Sequence, residues 1–137
     1  MSPETVSPVP TKPALVNAYR AVSGLLALLV LLQATIAGRI VYGGEGETLH
    51  GILGNVSFLL GVAGLVLAFV IRAPRVFVLV GIVLVVLLTA QIGLGYSAEE
   101  SQGAGEWHIP IGVLIFGLSM YQMSLLRRLR TVETVER

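Results

Sequence analysis

The stretch LHGILGNVSFLLGVAGLVLAFVI, residues Leu49–Ile71, contains no charged residue and is long enough to cross the hydrocarbon core of a membrane as one helix. A helix needs about 20 mostly apolar residues to span about 30 Å of hydrocarbon. Three more apolar stretches of similar length lie at residues 14–38, 76–96 and 109–126. Because a spanning segment must satisfy its own backbone hydrogen bonds in lipid, all four are predicted as helices. The predicted fold class is an all-α integral membrane four-helix bundle with up-down-up-down topology.

The composition of the whole chain agrees with a membrane protein. Hydrophobic residues make up 55% of it, charged residues 12%, and the mean hydropathy is +0.86. These values are too apolar for an ordinary soluble domain. The net charge of +1 gives no sign of nucleic-acid binding. Cysteine is absent, which excludes disulfides and sites with thiolate ligands, such as iron–sulfur clusters.

The two ends of the chain differ from the apolar middle. Residues 1–13 hold four of the six prolines and cannot bury enough surface to order themselves, so a flexible cytoplasmic tail is predicted there. Residues 14–130 form the predicted transmembrane domain, and residues 131–137 form a second cytoplasmic tail. The first span is longer than the apolar region of a typical signal peptide and follows the proline-rich tail. We therefore expect it to be retained in the mature protein.

The distribution of basic residues predicts the orientation. The second turn holds Arg72 and Arg75, whereas Arg39 is the only basic residue in the two acidic connections. Five more basic residues lie before, at the start of or after the spans: Lys12, Arg20, Arg127, Arg128 and Arg130. By the positive-inside rule, both termini are expected in the cytoplasm and both acidic loops outside. The predicted location is the plasma (inner) membrane of a prokaryote.

The chain is built from two similar halves. A shift of 58 residues superimposes Gln33 on Gln91, His50 on His108 and Gly54 on Gly112. The same shift aligns further pairs: Leu26 with Leu84, Leu29 with Leu87, Phe58 with Phe116, Leu60 with Leu118 and Arg72 with Arg130. Duplicated helical hairpins of this kind are typically related by a pseudo-two-fold axis. We therefore predict two tandem hairpins, with the second and fourth helices on a diagonal of the bundle.

The two histidines of the repeat, His50 and His108, are the only ones in the sequence. Both begin a predicted helix near the outer membrane face. Two imidazoles aimed at the bundle axis from a diagonal can bind the two axial positions of one haem iron. Gly54 and Gly112 follow one helical turn later on the same face, where they would leave room for a porphyrin or let helices pack closely.

Three further polar residues are candidates for the same site. Gln33 and Gln91 are expected to point inward, where their amides either orient a histidine or link helices by hydrogen bonds. Arg39 is a cation at the outer end of the first helix, placed to pair with haem propionates or to extend to the membrane interface.

Two other interpretations remain open from the residues alone. Glu47, His50, Glu106 and His108 together offer carboxylate and imidazole ligands for a divalent metal ion. Alternatively, the chain is a haem-free structural or assembly subunit, in which the glycines serve helix packing and the histidines are interfacial polar residues.

The repeated motifs carry a resemblance to known membrane proteins. They read LQ (residues 32–33) with LHGILG (residues 49–54), and AQ (residues 90–91) with WHIPIG (residues 107–112). The chain resembles a small class of uncharacterised four-helix bacterial membrane proteins with duplicated Gln and His-Gly hairpins. More distantly, it is similar to haem A synthase and to cytochrome b561-type bundles, whose membrane-helix histidines ligate b-type haem. Those families generally carry more histidines, and having two here argues against a second haem.

The function expected from these observations is the binding of one haem b for electron transfer, as a carrier and not an enzyme by itself. Two axial histidines leave no open iron position, which favours one-electron transfer over oxygen chemistry. One haem at one surface cannot carry electrons through about 30 Å of hydrocarbon. A partner is therefore expected: a quinone, an extracytoplasmic redox protein or larger subunits of a respiratory complex.

Overall fold

A computed structural model describes residues 13–97 and 101–127. For Gln102 it describes the backbone alone. The described chain forms four α-helices: α1 (Pro13–Val41), α2 (Glu47–Val70), α3 (Arg75–Ser97) and α4 (Gln102–Leu126). Each is long and apolar enough to cross a membrane. The predicted all-α four-helix membrane bundle is thus confirmed. The predicted tails fall outside the described residues, except for Pro13, which begins α1.

The helices begin and end close to the predicted bounds, apart from the start of α4. That helix begins at Gln102, whereas the apolar pattern predicts a start at Ile109. The extra residues are rich in glycine and polar side chains, so hydropathy does not reveal them. As a result Pro110 lies inside α4 and not in its first turn, and His108 lies nearly two turns into the helix.

Each helix packs against two neighbours and avoids the third. Contacts join α1 with α2, α2 with α3, α3 with α4 and α4 with α1, whereas α1 does not meet α3 and α2 does not meet α4 across the described backbone. The bundle is therefore square, with α2 and α4 on a diagonal as the repeat predicts. We call the end with Pro13, the α2–α3 turn and Arg127 the terminal end, and the opposite end the loop end.

The interior consists of apolar layers stacked along the bundle axis. The layer nearest the terminal end contains Val16, Tyr19, Ala68, Ile71, Phe77 and Leu126, all almost fully buried. The next contains Leu26, Val30, Val80, Leu84, Leu88 and Ile115. In both layers, residues from different helices interlock and fix the bundle. Large apolar side chains such as Leu28, Val86 and Val113 point outward instead, as a lipid-facing surface requires.

Candidate functional site

The histidines of both halves meet at the centre of the bundle, near the loop end. The ring centroids of His50 and His108 lie 5.9 Å apart, and the ring planes are inclined by 53°. Their helices α2 and α4 do not touch, so the two side chains reach inward across the diagonal. The structure therefore brings together the two residues that the sequence repeat singles out. We call these rings, with Gln33 and Gln91, the histidine layer.

Local structure explains how each imidazole reaches this level. His50 lies in the first turn of α2, and its backbone N–H donates to the carbonyl of Gly46 at 2.8 Å. Gly46 has a φ of 154°, a conformation that favours glycine, and so allows the chain to enter α2 directly from a tight connection. His108 lies on α4 beside the exposed Trp107, which, with Tyr42 and Tyr96, surrounds the loop end as aromatic residues do at a membrane interface.

The two glutamines occupy equivalent places between the helices of each hairpin. The Gln91 amide donates from Nε2 to the carbonyl of His108 at 2.9 Å. A Cβ added at Gly112 would lie 3.2 Å from the same Nε2, and one added at Gly54 would lie 3.0 Å from Nε2 of Gln33. In both halves, therefore, a glutamine amide fills the space above the glycine, where the sequence analysis expected room for a porphyrin or close helix packing. The near equality of the distances also supports the predicted pseudo-two-fold symmetry.

Four polar atoms of the histidine layer are buried without a hydrogen-bond partner. They are the Nδ1 atoms of His50 and His108 and the Oε1 atoms of Gln33 and Gln91. A buried polar atom that loses its water partner without gaining another costs about 1–3 kcal/mol. Such a group of unpartnered atoms, repeated in both halves, marks the histidine layer as the candidate functional site.

A glycine of α3 also borders the histidine layer. A Cβ added at Gly95 would lie 3.2 Å from Cε1 of His108, so the imidazole packs against the backbone of α3 at this point. Gly95 follows Gln91 by four residues and therefore shares its helix face. That spacing is a signal that could have identified it from the sequence.

Arg39 lies where the sequence predicts, in the last turn of α1 at the loop end. Its side chain is exposed and folds back over the connection to α2, because a Cβ added at Gly44 would lie 2.6 Å from its Cγ and 3.1 Å from its Nε. The guanidinium therefore stays at the rim of the bundle and outside the histidine layer.

The four candidate ligands of a divalent metal ion do not come together. The Glu47 carboxylate accepts a hydrogen bond from the Gly46 N–H at 3.0 Å, and the Glu106 side chain is exposed. Within residues 13–97 and 101–127, no three side chains of the types His, Asp or Glu are grouped closely enough to hold a metal ion. The two histidines thus meet without these carboxylates.

Comparison with known protein families, with curated proteins and with solved structures gives no significant match to this chain.

Proposed function

We propose that this protein binds one haem b between His50 and His108 and serves as a membrane electron carrier. The observation that carries the proposal is the separation of the two imidazoles across the bundle. A bond between a metal and an imidazole nitrogen is about 2 Å long, so two rings on opposite sides of one iron have centroids about 6 Å apart. The observed separation is 5.9 Å.

The orientation of the rings is compatible with two histidines that hold one iron between them. Two imidazoles on opposite faces of one iron are free to rotate about the line that joins them, so an inclination of 53° between their planes is compatible with axial ligation. The buried Nδ1 atoms of both histidines have no hydrogen-bond partner in the structure, and they support the proposal as candidate ligand atoms. The unpartnered Oε1 atoms of Gln33 and Gln91 are acceptors at the same level.

The remaining site residues have defined parts in this proposal. Gln33 and Gln91 orient the imidazoles, while Gly54 and Gly112 admit their amides, and Arg39 at the rim provides a cation for the haem propionates. His50 and His108 would hold the haem, and its iron would supply one-electron redox chemistry. Apolar layers beneath the site keep water out of the bundle toward the terminal end.

The proposed partners follow from the position of the site. The histidine layer lies at one end of the bundle, and about 30 Å of hydrocarbon is too far for one haem to carry electrons across. The electron donor and acceptor are therefore a quinone, an extracytoplasmic redox protein or larger subunits of a respiratory complex in the plasma (inner) membrane of a prokaryote. We place the loop end outside and both termini in the cytoplasm by the positive-inside rule.

Absorption spectroscopy tests the proposal directly. Protein purified after expression with ample haem is expected to show a Soret band, a low-spin spectrum and one haem per chain. His50→Ala and His108→Ala should each abolish this spectrum, whereas Trp107→Phe, beside one ligand, should keep it as a matched control.

A ligand exchange separates loss of ligation from loss of folding. His50→Met keeps an axial ligand, and Met/His ligation raises the reduction potential. This variant should retain haem with a shifted spectrum and a higher midpoint potential. Wild-type protein without a Soret band under these conditions, or a band that survives both alanine substitutions, would contradict the proposal and favour a haem-free structural subunit.

A further inference from the structure

The opposite end of the molecule carries a second candidate site, at the turn between α2 and α3. An open groove of about 300 Å³ lies there, lined by Phe69, Ala73, Arg75, Val78 and Leu79. Four of these side chains are apolar, and Phe69 and Leu79 are more than half exposed. The groove therefore combines an apolar lining, suited to a hydrocarbon chain, with the side chain of one arginine, Arg75.

A second guanidinium group, that of Arg72, lies just after the C-terminal end of α2. Arg72 adopts a left-handed conformation with a φ of 51°. Its N–H donates to the carbonyl of Phe69 at 3.0 Å, and the N–H of Ala73 donates to the carbonyl of Ala68 at 2.9 Å. This pair of bonds is the Schellman motif, in which glycine usually takes the left-handed position.

Arginine at this position is energetically unfavourable for the backbone. A left-handed residue other than glycine costs about 1–2 kcal/mol. Its presence in place of glycine indicates that the charge has a use, since strained residues concentrate at functional sites. Arg72 and Arg75 are both exposed, three residues apart on the same short turn.

The charges of this turn are not balanced by nearby carboxylates in the described structure. Glu45, Glu47 and Glu106 are the acidic residues within residues 13–97 and 101–127, and all of them lie at or near the loop end. Arg127, at the end of α4, adds to the positive charge of the terminal end. An anion is thus the complementary ligand, and guanidinium groups bind phosphate particularly well.

We propose that this turn binds an anionic phospholipid, with its phosphate on Arg72 and Arg75 and one acyl chain in the groove. The terminal end lies at the level of the lipid headgroups when the four helices span a bilayer, so the phosphate and the chain of one lipid meet the two parts of the site together. The site is distinct from the histidine layer and does not depend on haem binding.

Lipid retention measured by native mass spectrometry tests this assignment. Full-length protein in mild detergent would be offered phosphatidylglycerol and phosphatidylcholine with the same acyl chains. Each arginine near an anionic headgroup contributes about 1 kcal/mol, or about fivefold in affinity. We expect wild type to prefer phosphatidylglycerol, Arg72→Gln or Arg75→Gln to lower that preference about fivefold, and the double variant to remove most of it.

Two controls make the outcome decisive. Arg39→Gln removes a guanidinium at the loop end and should leave the preference unchanged, whereas Ala73→Leu should narrow the groove and weaken lipid binding with both arginines present. Equal retention of the two lipids by wild type, or an equal effect of Arg39→Gln, would overturn the proposal. The proposal would also be overturned if inorganic phosphate displaced the lipid and Ala73→Leu had no effect. That result would mean that the site binds an anion and does not bind an acyl chain.

Discussion

The fit between Gln91 and Gly112 leads to a measurable difference between two glycines on one helix. In Gly112→Ala the new methyl group would lie 3.2 Å from Nε2 of Gln91, which already donates to the His108 carbonyl at 2.9 Å. In Gly117→Ala the new methyl group would have no neighbour within 4 Å. Both positions lie inside α4, so the gain in helix propensity is common to the two variants.

The difference in stability between the two variants follows from the contact alone, because the gain in helix propensity is the same in both and cancels. Gln91 Nε2 is the far end of a flexible side chain that must give by a few tenths of an ångström, so the lower end of the ~1–3 kcal/mol cost of overpacking applies. Weakening an interhelical hydrogen bond in a membrane adds about 0.6 kcal/mol on average. The propensity gain of about 1 kcal/mol should make Gly117→Ala as stable as wild type or more so. Gly112→Ala is therefore expected to be about 1–2 kcal/mol less stable than Gly117→Ala.

Unfolding of the purified protein in detergent, followed by the fluorescence of Trp107, measures this difference. The double variant Gly112→Ala/Gln91→Ala should recover part of the loss, because the shortened side chain no longer meets the methyl group. Gly54→Ala should behave like Gly112→Ala, since its methyl group would lie 3.0 Å from Nε2 of Gln33. Equal stabilities of Gly112→Ala and Gly117→Ala would refute the packing of the amide over the glycine.

Two further predictions concern the terminal end. Tyr19→Phe should lower the free energy of unfolding by about 1 kcal/mol, because the buried Gln122 amide loses the hydroxyl that accepts its Nε2 hydrogen bond at 2.7 Å. The double variant Tyr19→Phe/Gln122→Leu should lose less free energy of unfolding than the two single variants lose together. Additive losses in chemical denaturation would contradict the hydrogen bond. Arg72→Gly should raise the free energy of unfolding by about 1 kcal/mol, because glycine adopts a φ of 51° without strain. A melting temperature below that of wild type in lipid-free detergent would contradict this prediction, because it would show that the arginine stabilises the turn itself.

Hydropathy and the internal repeat were sufficient to predict the helices and their arrangement. Runs of about 20 apolar residues have few alternatives in a bilayer, and the shift of 58 residues places His50 and His108 at one level on diagonal helices. The start of α4 was not predictable in this way. Gly103, Ala104 and Gly105 resemble a loop in composition, but the structure includes them in the helix.

The contents of the space beside the histidines depend on side-chain packing, which periodicity does not reveal. A glycine one turn after a histidine indicates free volume but not what fills it, and here the amides of Gln33 and Gln91 lie there. The bond between Tyr19 and Gln122 was likewise not predicted. A buried glutamine in an apolar span was the available signal, since such an amide requires a partner.

The contact between Tyr19 and Gln122 also determines which hairpin can pair with which. Under the shift of 58 residues, Tyr19 corresponds to Phe77 and Gly64 to Gln122, so the bond from α1 to α4 has an apolar equivalent between α3 and α2. Two copies of the first hairpin would offer the hydroxyl no amide, and two copies of the second would offer the amide no hydroxyl. Separately expressed hairpins would therefore associate as unlike partners in preference to like ones, because the pairing of unlike hairpins alone joins the hydroxyl to the amide.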